Sequence, residues 1–98
     1  MGGDPQGAAI KSPTVILYGW GTVAATATAL SATAEPIKSV TIENVSTNDV
    51  VYIGDADVTI LNGYALRAGA TVSLDIDDLN KVYHIGTAGN VITYIAVN

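Results

Sequence analysis

The run VVYIGDADVT, Val50 to Thr59, carries two aspartates in D-x-D spacing, Asp55 and Asp57, as the start of a calcium loop would. A loop of the EF-hand kind needs oxygen ligands at positions 1, 3 and 5, Gly at 6 and Glu at 12. Counted from Asp55, those last three positions are Thr59, Ile60 and Leu66. The Gly and the Glu are both missing. The pair therefore reads as a turn in which an Asp carboxylate accepts backbone N–H groups. A cation site of another kind on Asp55 and Asp57 is the weaker reading. A second acidic run, DIDD, holds Asp75, Asp77 and Asp78. On a strand, Asp75 and Asp77 would share the outward face, and their repulsion would leave room for a cation or a basic partner. The preferred reading is a cap: Asp77 or Asp78 closing a short turn through Leu79 and Lys81.

His84 is the one histidine, and the sequence has no cysteine. A metal site would need further ligands. A Ser-His-Asp arrangement would need a strained serine motif such as G-x-S-x-G, which does not occur. His84 reads as an outward or hydrogen-bonded strand residue. The sequence thus assigns no catalytic residue, no metal ligand and no cofactor, and enzyme activity is not expected.

The aromatic residues are Tyr18, Trp20, Tyr52, Tyr64, Tyr83 and Tyr94. Tyr and Trp suit interfaces, since one end is apolar and the other polar. Tyr52, Tyr83 and Tyr94 fall in strand-like runs and are expected in the core. Trp20 in YGWG and Tyr64 in NGY are expected to be exposed anchors for a partner. Ile10 and Arg67 join them as partner-contact candidates.

The elements that must hold these residues are strands. IKSVTIENVS places Val40 and Ile42 on one face, Thr41 and Glu43 on the other. VVYIG turns Val51 and Ile53 inward, and ATVSLDI does the same with Val72, Leu74 and Ile76. VTIL reads as a short strand, NGYALRAG as a loop and DDLN as a turn or single helical turn. KVYHIG, TAGN and NVITYIAVN read together as a hairpin. TVAATATALSAT, Thr22 to Thr33, is rich in Ala but alternates with period two, and is expected to be a strand. Short strands separated by turn signals predict an all-β fold, a small antiparallel sandwich or barrel of jelly-roll or immunoglobulin-like form. Residues 1–14, MGGDPQGAAIKSPT, show no periodicity and read as a flexible N-terminal arm that orders against a neighbour. Residues 15–98 form the one domain that 98 residues allow.

Composition excludes several functions. Four basic residues against nine acidic ones give a net charge of −5, so a phosphate-tracking stripe cannot form and nucleic-acid binding is disfavoured. Membrane-surface binding fails for the same reason, and no apolar run has the length of a spanning helix. No basic stretch followed by an apolar one is present at the start, so no signal peptide is expected. Only 13% of residues are charged, about half the usual fraction. The 27 Val, Ile and Leu residues, with no Phe, make a core of small side chains. Self-association is expected to add stability, with a trimer as the first expectation.

The run from Val50 to Val97 resembles small accessory structural proteins of tailed bacteriophages. The residues that carry the resemblance are VYIGD, the VT that follows, NGYALRAG before one strand and LNKVYHIG before the last. The resemblance implies a virion component on the capsid surface, a head decoration or cement protein that binds the major capsid protein and stabilises the shell. A tail, neck or fibre-base component, and a carbohydrate-binding or host-adhesion module, are the alternatives.

Overall fold

The computed structural model describes residues 15–98. Ile10 and the expected arm, residues 1–14, lie outside the described residues. Among the described residues eight strands follow in chain order: β1 (Ile16–Thr22), β2 (Thr28–Ala29), β3 (Ser39–Asn44), β4 (Val51–Gly54), β5 (Tyr64–Leu66), β6 (Thr71–Leu74), β7 (Tyr83–Ile85) and β8 (Val91–Val97). A single 3-10 turn, Leu79–Lys81, precedes β7. The strands form two four-stranded sheets, in the orders β1-β8-β3-β6 and β2-β7-β4-β5. Every pairing is antiparallel. Of the two expected sandwich forms, this interleaved order is the jelly roll, built from two Greek keys.

The period-two pattern explains the layering. Val40 and Ile42 of β3, Val51 and Ile53 of β4, Leu66 of β5, and Ile92 and Ala96 of β8 are all buried. They meet between the sheets with Val23, Ile37, Leu79 and Val82. Val72, Leu74 and Ile76 pack against this core from the β6 edge, as their spacing predicts. Asn44 ties the layers together. Its side chain is fully buried and donates to the carbonyls of Leu66 and Asp49, each at 2.8 Å. Its Oδ1 accepts the Ser46 N–H at 2.9 Å.

Four local expectations are corrected. The KVYHIG–NVITYIAVN hairpin does not form: β7 and β8 lie in opposite sheets. β8 instead pairs with β1 along seven residues and with β3 along six. Those two ladders satisfy both of its edges, which a hairpin could not. The TVAATATALSAT segment is not one strand. Thr22 ends β1 and only Thr28–Ala29 pair in the other sheet. Between them the chain crosses the end of the sandwich, and its backbone bonds go to the β7–β8 arch, where Val23 N–H donates to Asn90 and Gly86 N–H to Ala24. VTIL is a turn. Asn62 Oδ1 accepts the Thr59 N–H at 2.7 Å and Thr59 Oγ1 accepts that of Leu61 at 3.2 Å, so side chains take the bonds that a strand would need. NGYALRAG holds a strand, since Tyr64, Ala65 and Leu66 pair with Ile53, Tyr52 and Val51.

Candidate functional site

Among the described residues β1 is an edge strand, and its two faces differ sharply. Leu17, Gly19 and Gly21 alternate inward. Gly19 makes room for the Tyr94 ring of β8: a Cβ there would stand 3.0 Å from the phenol oxygen. Ile16, Tyr18 and Trp20 point outward and stay 60%, 77% and 74% exposed. On β8, Ile95 stands opposite Tyr18 and is also exposed. Four large apolar side chains thus form one continuous strip along the β1–β8 edge. Among the described residues, β1 pairs only with β8. Val97 and Val91 of β8 flank the strip on this outer face, and β3 and β6 carry polar groups there. Thr93 lies beside Trp20, Glu43 beside Thr93 and Thr71 beside Glu43. In the next row the Thr41 and Ser73 hydroxyls share a hydrogen bond of 2.8 Å. An apolar strip rimmed by hydroxyl groups is the make-up of a protein-docking surface.

The expected partner residues are scattered. Trp20 belongs to the strip. Tyr64 is exposed too, but on β5 at the far edge of the opposite sheet. Arg67 is exposed in the β5–β6 turn. The exposure of Tyr18, Ile16 and Ile95 beside Trp20 was not anticipated. The alternation of ILYGWGT, with two glycines on one face and three large residues on the other, was the available signal.

The acidic runs resolve into turns. Asp55 accepts the Asp57 N–H at 2.9 Å. Asp78 caps the 3-10 turn, taking the Asn80 N–H at 2.9 Å and, across the chain, that of Glu35 at 2.8 Å. Asp77 pairs with Lys81 at 2.8 Å. Their hydrogen bond and mutual charge hold Asp77 below and Lys81 above their ordinary pKa values. Among the described residues, no group of three or more His, Asp or Glu is placed to hold a metal ion.

His84 departs from expectation. It is neither outward nor hydrogen-bonded at Nδ1: the ring is 1% exposed between the sheets, and Nδ1 has no partner among the described residues. Burial pushes its pKa down. An imidazole enclosed in this way cannot exchange protons with an external substrate. Tyr52 and Tyr83 also differ from expectation. Each alternates with buried neighbours, Val51 and Ile53 or His84, and lies half-buried on the outer face of its sheet. Tyr94 does pack against the core.

No protein-family model matches the sequence, and no curated protein matches it. The solved structures similar to it include two. One is a chain from Bacillus endospore appendages, described as "a novel family of disulfide-linked pili", with TM-score 0.52, 17% identity and 85% of each chain covered. The other is the SPBc2 prophage-derived protein YomS, with TM-score 0.46, 17% identity, and 91% of this chain and 100% of that one covered. At this identity the likeness to the appendage chain is one of fold.

Proposed function

We propose that this chain is a non-enzymatic structural protein of a bacteriophage particle, a head decoration protein that docks on the major capsid protein and stabilises the shell. The observation that carries the reading is the strip of Ile16, Tyr18, Trp20 and Ile95 on the outer face of β1 and β8. Aromatic anchors of this kind supply most of the binding energy at protein interfaces. A protein that binds the assembled shell and not its free subunits stabilises the shell by mass action. The jelly-roll likeness to a pilus chain supports assembly with further copies, here as a homo-oligomer with a trimer as first expectation. With no cysteine in the sequence, its own side chains would make such an assembly non-covalent.

The test is co-sedimentation with phage particles stripped of accessory proteins, using the wild type, Trp20→Ala and Tyr18→Ala. The wild type pellets with the particles and raises their melting temperature. Loss of either anchor weakens binding by about 2 kcal/mol, or roughly thirtyfold. Equal binding by the wild type and both variants rejects the strip as the contact, and no binding to any particle rejects the role.

One observation favours a second reading, a carbohydrate-binding module. Trp20 offers an exposed ring in the same cross-strand row as Thr93 and Glu43, which joins a stacking face to hydrogen-bonding groups. Glycan-array binding by the isolated protein, lost in Trp20→Ala and Glu43→Gln alike, would select it over the capsid reading.

A further inference from the structure

The sandwich is open along one side. Where β6 and β5 form neighbouring edges of the two sheets, an apolar groove of about 500 Å³ runs between them, lined by Ile53, Tyr64, Val72, Leu74, Ile76 and Val82. Tyr64 marks the opening. It stands opposite Ile53, so its side chain lies on the inner side of its sheet, yet it is 62% exposed. Its neighbour on the same face, Leu66, is 1% exposed. The inner face is therefore covered at one end of β5 and uncovered at the other. Among the described residues, β6 pairs with β3 alone, and its second edge has no strand.

We infer that this groove receives residues 7–11, Gly-Ala-Ala-Ile-Lys, from a second copy of the chain, laid along the free edge of β6 with Ile10 in the groove. Three observations choose this occupant. First, fourteen residues precede the described ones, and after Met1 their one large apolar side chain is Ile10. An added strand supplies backbone bonds to an edge and side chains to the pocket behind it. Second, the rim holds Asp55, which has no cationic partner among the described residues, together with Lys81. Lys81 is committed to Asp77, the only salt bridge among the described residues. Lys11, next to Ile10, brings the missing positive charge. Third, the chain's own residues cannot lie there. Asn98 N–H donates to the Val15 carbonyl at 3.3 Å, so Val15 continues the line of β1. Four residues from Val15 to Lys11 span at most about 14 Å. β6 stands three strand spacings from β1, also about 14 Å. A segment stretched taut across the sheet cannot also run along β6. The inference is independent of what the β1–β8 strip binds.

The experiment compares the full-length wild type with Ile10→Asp and Tyr64→Ala by sedimentation velocity over a dilution series. A thermal melt of the Ile10→Asp monomer confirms that its fold is kept. The wild type associates as concentration rises, and each variant weakens association at least tenfold. In a second arm, a peptide of residues 5–14 is titrated into the Ile10→Asp protein and followed by methyl resonances. It shifts Val72, Leu74 and Ile76, and the same peptide with Asp at position 10 does not. Association equal within twofold in wild type and Ile10→Asp overturns the proposal. So does a peptide that shifts only residues of the β1–β8 strip. Groove methyl shifts that distinguish wild type from Ile10→Asp even when both are monomeric would place the chain's own arm there, which also overturns it.

Discussion

Gly21 of β1 and His84 of β7 meet face to face across the sandwich: a Cβ on Gly21 would stand 3.3 Å from Nε2 of His84 and 3.1 Å from Cδ1 of Ile92. The two residues come from different sheets and lie far apart in the chain. The missing side chain of one makes the space that the imidazole of the other occupies.

The first prediction is the pH dependence of stability. Burial lowers the folded pKa of His84, while the unfolded value is about 6.5. Below pH 6.5 the unfolded chain therefore binds more protons than the folded one, down to the folded pKa. Stability from this residue is fully present above the unfolded pKa and is lost as pH falls toward the folded one. The limiting slope is about 1.4 kcal/mol per pH unit. Melting temperatures measured from pH 7 to pH 5 should fall for the wild type and stay nearly level for His84→Leu. Parallel slopes in the two proteins would assign the effect to other groups.

The second prediction follows from the close approach itself. Gly21→Ala forces a methyl group against His84 and Ile92, and overpacking of this kind costs about 1–3 kcal/mol. Because the two residues touch, the loss should be smaller in a His84→Ala background. Denaturant melts of both single variants and the double variant close the cycle. Strict additivity would mean that Ile92 alone takes the strain.

Asn44 gives the third prediction. Replacing it by Ala removes both donors to Leu66 and Asp49 and the acceptor for Ser46. The Leu66 carbonyl is then left buried without that partner, so the expected loss is about 3 kcal/mol. That is a fall of about 12 °C or more for a domain of this size. Asn44→Asp should not restore stability, since a carboxylate accepts but cannot donate to the two carbonyls.

Much of the sandwich was legible because alternation is a local signal. Val40, Ile42, Val51 and Ile53 face inward as their spacing requires, and DDLN forms its turn. What was not legible is which strands pair. KVYHIG and NVITYIAVN carry the same alternation whether they join each other or separate sheets, and only the long ladders of β8 with β1 and β3 decide. Competition from Thr59 and Asn62 for backbone bonds hid the turn at VTIL. His84 was misjudged because a polar residue between Tyr83 and Ile85 in a strand reads as outward. Its burial rests on Gly21, a residue sixty-three positions away whose role appears only when the sheets are stacked. The apolar strip was half visible: Trp20 was expected to be exposed, but the sequence does not say that β8 would bring Ile95 beside Tyr18.

The fourth prediction separates two neighbouring aspartates that the sequence could not tell apart. Asp78 Oδ1 accepts two backbone N–H groups, from Asn80 in its own turn and from Glu35, forty-three residues earlier. The second bond fixes the segment before β3 against the turn before β7, and Pro36 and Asp78 form a bridge at the same point. Loss of a capping oxygen costs about 1 kcal/mol, and loss of a further bond from a charged acceptor about as much again. Asp78→Ala should therefore lower stability by about 2 kcal/mol, and Asp78→Asn should recover part of it, since its amide oxygen can still accept. Among the described residues the Asp77 side chain makes only an exposed pair with Lys81. Such pairs are screened by solvent and salt, so Asp77→Ala should leave the melting temperature within error at 0.15 M salt. Melts of the three variants, each at low and at high salt, test the assignment. Equal losses for Asp77→Ala and Asp78→Ala would mean that the charge of the acidic run, and not the two backbone bonds of Asp78, holds this end of the sandwich.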